Sequence, residues 1–302
     1  SPGRRMRHDP AGRKCRSFAP PSARLRGMSS PDNPVWLTVL APAHNEEDNV
    51  EPLVREVEAA IAPAATARNA SWEFVLVDDG STDQTRQRAL RLADTRPWLR
   101  VISMTRTPPG RGCGQSAAFY AGIRASRAAL IATLDADLQN APADIPKLVE
   151  RLEREHADLA QGDRSRARKD NAVRRVGSVV GRLFRRWLLA DRVRDTGCSL
   201  RVMKREYALL LPLQFKGAHR FVPVTIARLG GRVVEMEVTH RPRVAGETKY
   251  GLGIVQRALP GLVDLFVMRW MFNRRRWTDW AEATSAADTL TTPRNPAGAQ
   301  AR

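Results

Sequence analysis

From about Val35 onward, short runs of aliphatic and β-branched residues alternate with longer stretches whose apolar positions recur every three to four residues. The short runs, at 36–41, 72–77, 99–104, 129–134 and 158–161, predict strands. Between them, 47–62 places Val50, Leu53, Val54, Val57 and Ile61 on one helical face. The stretch 82–93 opens on a Ser/Asp-rich turn suited to capping, and 117–126 and 145–155 complete the helices. Strand and helix in alternation predict an α/β fold, a mostly parallel sheet flanked by helices. After about residue 162 the rhythm changes to a basic helix over 172–189, a strand over 198–203, a helix over 219–229 and a strand over 232–238. An apolar helix over 251–272 follows, with a narrow polar stripe through Arg257, Gly261 and Asp264 and a kink expected at Pro260.

Three strand ends carry candidate chemistry. The first runs into Pro42-Ala43-His44-Asn45-Glu46-Glu47, the second into Asp78-Asp79-Gly80-Ser81-Thr82-Asp83, and the fourth into Asp135-Ala136-Asp137-Leu138-Gln139. Side chains alternate along extended backbone, so Asp135 and Asp137 face the same way and form an oxygen-rich seat for a divalent cation. An isolated Asp-x-Asp is common in solvated turns; the other two motifs give this one weight. In open sheets of this kind ligands gather beyond the carboxyl ends of the strands, so all three motifs are expected at one edge. Plainer roles compete: Asp83 suits capping of the following helix, and Asp195 and Arg201 suit a pair that fixes the loop beneath the site. His219 and Arg220 start a helix whose N–H groups could meet an anion, or they form a buried structural pair.

The chain of 302 residues is 42% hydrophobic and 27% charged, and its net charge of +18 calls for an anionic partner. The excess is uneven. Residues 1–34 carry eight Lys/Arg against two acidic residues, and 162–205 carry fourteen against four. The first segment is rich in Pro, Gly and Ser and is expected to be disordered; the second is interleaved with apolar residues and is expected to fold. No nucleic-acid-binding signature accompanies the charge, so phosphate in another form is the expected ligand and nucleic acid is not. Cys15, Cys113 and Cys198 lack metal-ligand spacing and are odd in number, which favours a reducing compartment. The N-terminus lacks the apolar core of a signal peptide, and 251–268 carries Gln256, Arg257 and Asp264, too polar for a membrane span. Arg274-Arg275-Arg276-Trp277 closes that helix as a membrane-interface anchor would; packing on the domain or on a second subunit is the alternative.

In order and spacing, the three acidic motifs resemble glycosyltransferase family 2. Asp195-Thr-Gly-Cys-Ser-Leu-Arg201, His219-Arg-Phe-Val-Pro223 and Arg243-Val-Ala-Gly-Glu-Thr-Lys-Tyr250 resemble its polyprenyl-phosphate, dolichol-phosphate mannose synthase-like branch. Two departures stand out: the family commonly has Tyr where His44 stands, and Gly110-Arg-Gly-Cys113 replaces an aromatic-Gly approach to Gln115. The resemblance implies a GT-A fold and inverting transfer of a sugar from a nucleotide-sugar donor, GDP-mannose or a UDP-hexose, to a dolichyl or undecaprenyl phosphate. It implies that Asp135, Asp137 and Gln139 hold Mg²⁺ or Mn²⁺, and that Pro42, His44, Glu46, Asp78, Gln115 and Asp135 bind the nucleotide sugar. Arg164, Arg174, Ser178, Arg243 and Lys249 would bind the lipid phosphate, with Asp137 and Arg164 the catalytic residues. It also implies a peripheral protein at the cytoplasmic face of the plasma membrane, with a homodimer as a further expected partner.

The chemistry agrees with these roles. A departing nucleoside diphosphate needs its developing charge stabilised, and a cation with fixed Arg or Lys donors supplies that. Arg174 and Ser178, four residues apart on a helix, share a face and could share one phosphate. A phosphomonoester has a second pKa near ~6 and is already anionic at neutral pH, so no general base is nominated. The expected organisation is a disordered basic segment over 1–34, a GT-A domain over 35–240, an acceptor loop and interfacial amphipathic helix over 241–277, and a disordered tail over 278–302. A processive polysaccharide synthase would bring a transmembrane channel and a Gln-x-x-Arg-Trp motif, neither of which the sequence contains. A phosphate- or nucleic-acid-binding module would need no carboxylate seat.

Overall fold

The computed structural model describes residues 35–108, 110–165, 172–242 and 254–275, with backbone alone for 172–180 and 254–260. The segments expected to be disordered, 1–34 and 278–302, lie outside the described residues. In chain order the elements are β1 (Val35–Ala43), α1 (Glu47–Ala67), β2 (Ser71–Asp78), α2 (Thr85–Ala93), β3 (Leu99–Ser103), α3 (Gln115–Ala125), β4 (Leu130–Thr133) and α4 (Ile145–Arg154). There follow β5 (Leu159–Asp163), α5 (Ala172–Leu189), β6 (Arg201–Lys204), α6 (Arg205–Ala208), α7 (Val222–Arg228), β7 (Val233–Glu237) and α8 (Ile254–Arg274). A 3₁₀ turn, Ala218–Phe221, leads into α7.

The seven strands form one sheet in the order β3-β2-β1-β4-β6-β5-β7. Every neighbouring pair is parallel except the two that involve β6, which is antiparallel to both β4 and β5. Six strands therefore end at one edge, and β6 begins there. The alternation along β1 divides its side chains between two cores. Leu37, Val39 and Ala41 face one way, with Val50, Leu53, Val57 and Ile61 of α1 and Ile145 and Leu148 of α4. Leu40 faces the other, with Val75, Val77, Phe119 and Ile123, and the same cluster runs on to Met203, Tyr207 and Ile226. Each fully buried Leu or Phe contributes about 1.5–3 kcal/mol. The second face is tight where α3 crosses the sheet: a Cβ on Gly122 would lie 2.1 Å from Leu40 Cδ1. Only glycine lets α3 sit this close.

Several boundaries differ from the sequence expectation. Helix α1 runs on through Pro63 to Ala67 rather than stopping at 62. Helix α2 starts at Thr85 rather than 82, because 81–83 are engaged by the 45–47 segment. The strand expected over 198–203 is Arg201–Lys204, since side chains take the carbonyls ahead of it: Gln161 Nε2 donates to Cys198 O and Thr133 Oγ1 to Ser199 O. No helix among the described residues is long and apolar enough to cross a membrane.

Candidate active site at the carboxyl edge of the sheet

The ends of β1 and β2 are laced together by short polar side chains. His44 Nδ1 donates to Asp79 O at 2.7 Å, Asn45 N to Ser81 Oγ at 3.0 Å, and Thr82 N to Asn45 Oδ1 at 2.8 Å. Asn45 takes a left-handed conformation (φ 53°), which asparagine tolerates better than most residues. Asp83 accepts Thr85 N at 2.9 Å and Glu47 N at 3.2 Å, so one carboxylate serves the first turns of both α2 and α1. Burial works against its charge, but those bonds prevail and hold its pKa below the ordinary value. The expected capping role is thus seen at two helices.

Asp79 performs a task that the sequence reading did not isolate. Its Oδ1 accepts Cys113 N at 2.8 Å and Thr107 Oγ1 at 3.1 Å, and its Oδ2 accepts Gly114 N at 2.7 Å. A single buried carboxylate therefore pins both limbs of the loop between β3 and α3. Gly114 (φ 94°, ψ 163°) occupies backbone space open almost only to glycine, and it delivers Gln115 to the first position of α3. Gln115 Nε2 donates to Asp135 Oδ1 in a short 2.5 Å bond. The pinned loop and the β4 motif are joined through this contact.

Beyond β4, Asp137 Oδ1 accepts Gln139 N at 3.2 Å, and Leu138 between them is buried with φ 61°. A left-handed leucine costs on the order of 1–3 kcal/mol, and such strain concentrates where backbone is bent for a purpose. Burial, and next the negative charge of Asp137, push the Asp135 carboxyl above the ordinary range; a bond from Ser199 and the charges of Arg164 and Arg201 offset part of this. Two carboxylates that repel at the end of one strand fit a divalent cation. Among the described residues no group of three or more His, Cys, Asp or Glu side chains could hold one. Asp135 and Asp137 supply two carboxylates here, and a magnesium ion is commonly held by one or two carboxylates with substrate phosphates and water.

The cationic side of this edge comes from β5 and β6. Arg164, just past β5, donates from Nε to Asp195 Oδ2 at 2.8 Å and from Nη2 to Asp195 Oδ1 at 3.2 Å, with both side chains buried. Although burial opposes its charge, the Asp195 bonds raise its pKa, and Asp135 acts in the same direction. Arg201 is 2% exposed and hydrogen-bonds to the carbonyls of His219 and Cys198, while its Nε has no partner. Burial lowers the Arg201 pKa to about 10. The expected Asp195–Arg201 pairing is therefore replaced: Asp195 goes to Arg164, which reaches it with a two-nitrogen edge, and Arg201 turns to backbone carbonyls. The buried His219–Arg220 pair weighed as one role is not seen: Arg220 is exposed and lies 3.9 Å from Asp264, while His219 turns to Ser116. Its backbone N donates to Ser116 Oγ at 3.2 Å, and its Nδ1 lies 2.7 Å from the same oxygen. Burial, then the charges of Arg220 and Arg201, lower the His219 pKa to about 3, so the ring is neutral.

A pinned loop, a two-carboxylate seat and a pair of buried arginines at one sheet edge invite comparison with known proteins. Residues 38–208 match the model of glycosyl transferase family 2. The chain is 35% identical over 251 residues to a dodecaprenyl-phosphate galacturonate synthase from Rhizobium johnstonii, covering 82% of this chain and 71% of that protein. The chain belongs to glycosyl transferase family 2. It is also 34% identical over 218 residues to an undecaprenyl-phosphate 4-deoxy-4-formamido-L-arabinose transferase from Edwardsiella ictaluri, covering 72% of this chain and 63% of that one. The chain thus spans less than two thirds of the length of that relative. Among solved structures, glucosyl-3-phosphoglycerate synthase from Mycobacterium tuberculosis, in complex with Mn²⁺, UDP and phosphoglyceric acid, superposes with a TM-score of 0.58. Identity is 20% and the match covers 78% of each chain, so this likeness speaks for the fold, which is of the expected GT-A type.

Placed in this family fold, Pro42 and His44 lie at the end of β1 with Glu46 just beyond, Asp78 ends β2 with its Oδ1 accepting Ser81 N at 3.1 Å, and Gln115 meets Asp135. Asp135, Asp137 and Gln139 follow β4, and Arg164 follows β5 at the same edge. Arg174 and Ser178 belong to α5, described there by backbone alone, while Arg243 and Lys249 lie outside the described residues. Asp79 and Arg201, named in the sequence only within a motif and as a partner for Asp195, have contacts that sequence reasoning did not foresee, and Ser116 was not singled out at all. The Gly-rich loop before Gln115 was the available signal for the first, since glycines at such spacing need something to hold them.

Proposed function

We propose that this chain transfers a sugar, with inversion, from a nucleotide-sugar donor to a polyprenyl phosphate. The observation that carries the reading is that Asp135, past β4, and the buried Arg164, past β5 and held by Asp195, lie at the same sheet edge, with Asp135 bonded through Gln115 to the loop that Asp79 pins. The two relatives named above, whose names specify polyprenyl phosphates, point to the same acceptor class. In this reading 35–240 is the catalytic domain, Pro42, His44, Glu46 and Asp78 line the nucleoside pocket, and Gln115 orients Asp135. Asp135, Asp137 and Gln139 would hold Mg²⁺ or Mn²⁺, which when bound neutralises the donor diphosphate. Arg164, locked by Asp195, presents a fixed positive charge to the acceptor phosphate and the leaving group, together with Arg174, Ser178, Arg243 and Lys249. The acceptor oxygen is already anionic at neutral pH, so the residues orient it rather than deprotonate it.

A polyprenyl acceptor lies in a bilayer, so 241–277 is assigned to an acceptor loop and an interfacial helix at the cytoplasmic membrane surface. Apolar side chains exposed on α8, Val263, Phe266, Val267 and Trp270, and the Arg274-Arg275 end support this. The test is incubation of the purified protein with Mn²⁺, a short-chain polyprenyl phosphate and a panel of sugar nucleotides, with lipid-linked product detected by mass. One donor should give a product that depends on the metal and disappears in Asp137→Ala. Product on no lipid phosphate, or equal product with Asp137→Ala, overturns the reading.

A further inference from the structure

Exposed large apolar side chains among the described residues concentrate on two packed helices. Trp187 is 76% exposed and Leu183 60%, with Phe184 beside them on α5. On α8, Val263, Phe266, Val267 and Trp270 recur at helical spacing on one face. The opposite face of α8, through Leu265 and Met268, packs with Leu188, Leu189, Phe221 and Val224. The two helices are therefore already joined along an inner apolar seam, and a second apolar face points outward.

At the carboxyl end of α5, beside that outer face, a cavity of about 320 Å³ is lined by Arg182, Arg186, Asp191, Arg192, Val193 and Arg194. The lone carboxylate of this lining is already engaged: Asp191 Oδ1 accepts Val193 N at 3.0 Å and Oδ2 lies 3.7 Å from Arg185 Nε. Arg185 itself is turned inward to Thr196 and Asp191. Arg182, Arg186, Arg192 and Arg194 form no ion pair within 4.0 Å among the described residues. Beyond Asp191, the carboxylate that acts on this group is Glu235, whose Oε1 accepts Arg194 N at 2.7 Å, so four guanidinium groups share one concavity with fewer carboxylates than cations. Guanidinium forks match phosphate geometry, and crowded like charges favour an anion between them. Leu183 and Trp187 stand within one or two helical positions of Arg182 and Arg186. Apolar and cationic groups side by side suit the boundary between acyl chains and headgroups better than free solution.

We propose that this concavity takes the phosphate of an anionic membrane lipid, apart from the phosphate that accepts the sugar, and so makes the α5–α8 face selective for anionic bilayers. The proposal rests on the membrane reading given above and adds the headgroup class and the residues that select it. Each guanidinium near a negatively charged surface strengthens attachment severalfold, so loss of two weakens it by roughly 10–30-fold.

The experiment uses the full chain and vesicles of phosphatidylcholine, alone or mixed with phosphatidylglycerol, read by co-sedimentation. Wild type should prefer the phosphatidylglycerol vesicles by about tenfold or more, a preference that fades with salt. The pairs Arg182→Gln/Arg186→Gln and Arg192→Gln/Arg194→Gln should each lose most of it, with unchanged melting temperature and unchanged transfer to a short-chain acceptor in detergent. Equal binding to both vesicle types, or full preference retained in both paired variants, overturns the proposal. So does a thermal shift with inorganic phosphate that the variants lose without any vesicle preference, which would make the ligand a free anion. A wild-type chain that self-associates and ignores vesicles would assign the face to a second copy and overturn it too. Lipid-linked product without phosphatidylglycerol preference would sink this inference alone. That preference without product on any acceptor would sink the transfer reading and leave the headgroup site standing.

Discussion

The two rims of the candidate site are built on different principles. At the ends of β1 and β2 the work is done by small polar side chains that bond to backbone: Asp79, Asp83, Asn45 and Ser81 take main-chain N–H groups within a few ångströms. At the end of β5 and the start of β6 it is done by long cations, Arg164 in its bond with Asp195 and Arg201 on the carbonyls of Cys198 and His219. The first rim fixes a shape, since each bond removes conformational freedom from a loop. The second fixes a field, since burial keeps its charges strong. A rim of shape suits discrimination of a rigid nucleoside, and a rim of field suits phosphates that change charge during reaction.

This contrast can be broken most sharply at the seat between the rims. Asp137→Ala should reduce transfer by about 10²–10³-fold while leaving the circular dichroism spectrum intact, because it removes charge stabilisation from a folded edge. Activity within a few-fold of wild type would show that the seat does not serve the donor. Next in size, Asp195→Ala leaves Arg164 buried without its counter-charge and should cost about 3–5 kcal/mol by denaturant unfolding. Arg55→Ala, at an exposed helix pair, should stay within about 0.5 kcal/mol, and equal losses at the two positions would erase the distinction between buried field and solvated charge.

Smaller effects sharpen the picture. Gly122→Ala pushes a methyl group against Leu40 and should destabilise by about 1–3 kcal/mol, with little change in the activity of the molecules that remain folded. The neutral, buried His219 binds its proton only near pH 3 in the folded chain, against an ordinary value of 6.5. Between these values the unfolded chain holds more protons than the folded one, so this group's contribution is complete above about pH 6.5 and is lost progressively as pH falls toward 3. His219→Asn should therefore unfold with a flatter dependence on pH across that window; an unchanged slope would show that the ring is not the group responsible.

Much of this was legible in the sequence. Period-two runs and helical spacing located β1 to β5 and α1 to α5 within a few residues, because those elements line the apolar clusters on the faces of the sheet and carry their pattern. The position of Asp135 and Asp137 was legible too, because the apolar run before them marks β4, although the strand stops at Thr133 and the backbone then turns, with Leu138 at φ 61°. Partnerships between distant charges were not. Asp195 could pair with Arg164 or Arg201 on composition alone, and only the reversed β6, which brings residue 201 beside 133 and 161 in the ladder, decides the matter. The start of α2 was misplaced for a similar cause, since Ser81, Thr82 and Asp83 look like a purely local cap, but only Asp83 caps α2, through Thr85 N, and all three also bond to a segment some 36 residues earlier.

The reversed strand has one further consequence. Arg201 belongs to a strand paired along both edges, and its guanidinium is tied to two backbone carbonyls besides. Its charge is therefore built into the scaffold itself, a standing bias on whatever anion comes to this edge.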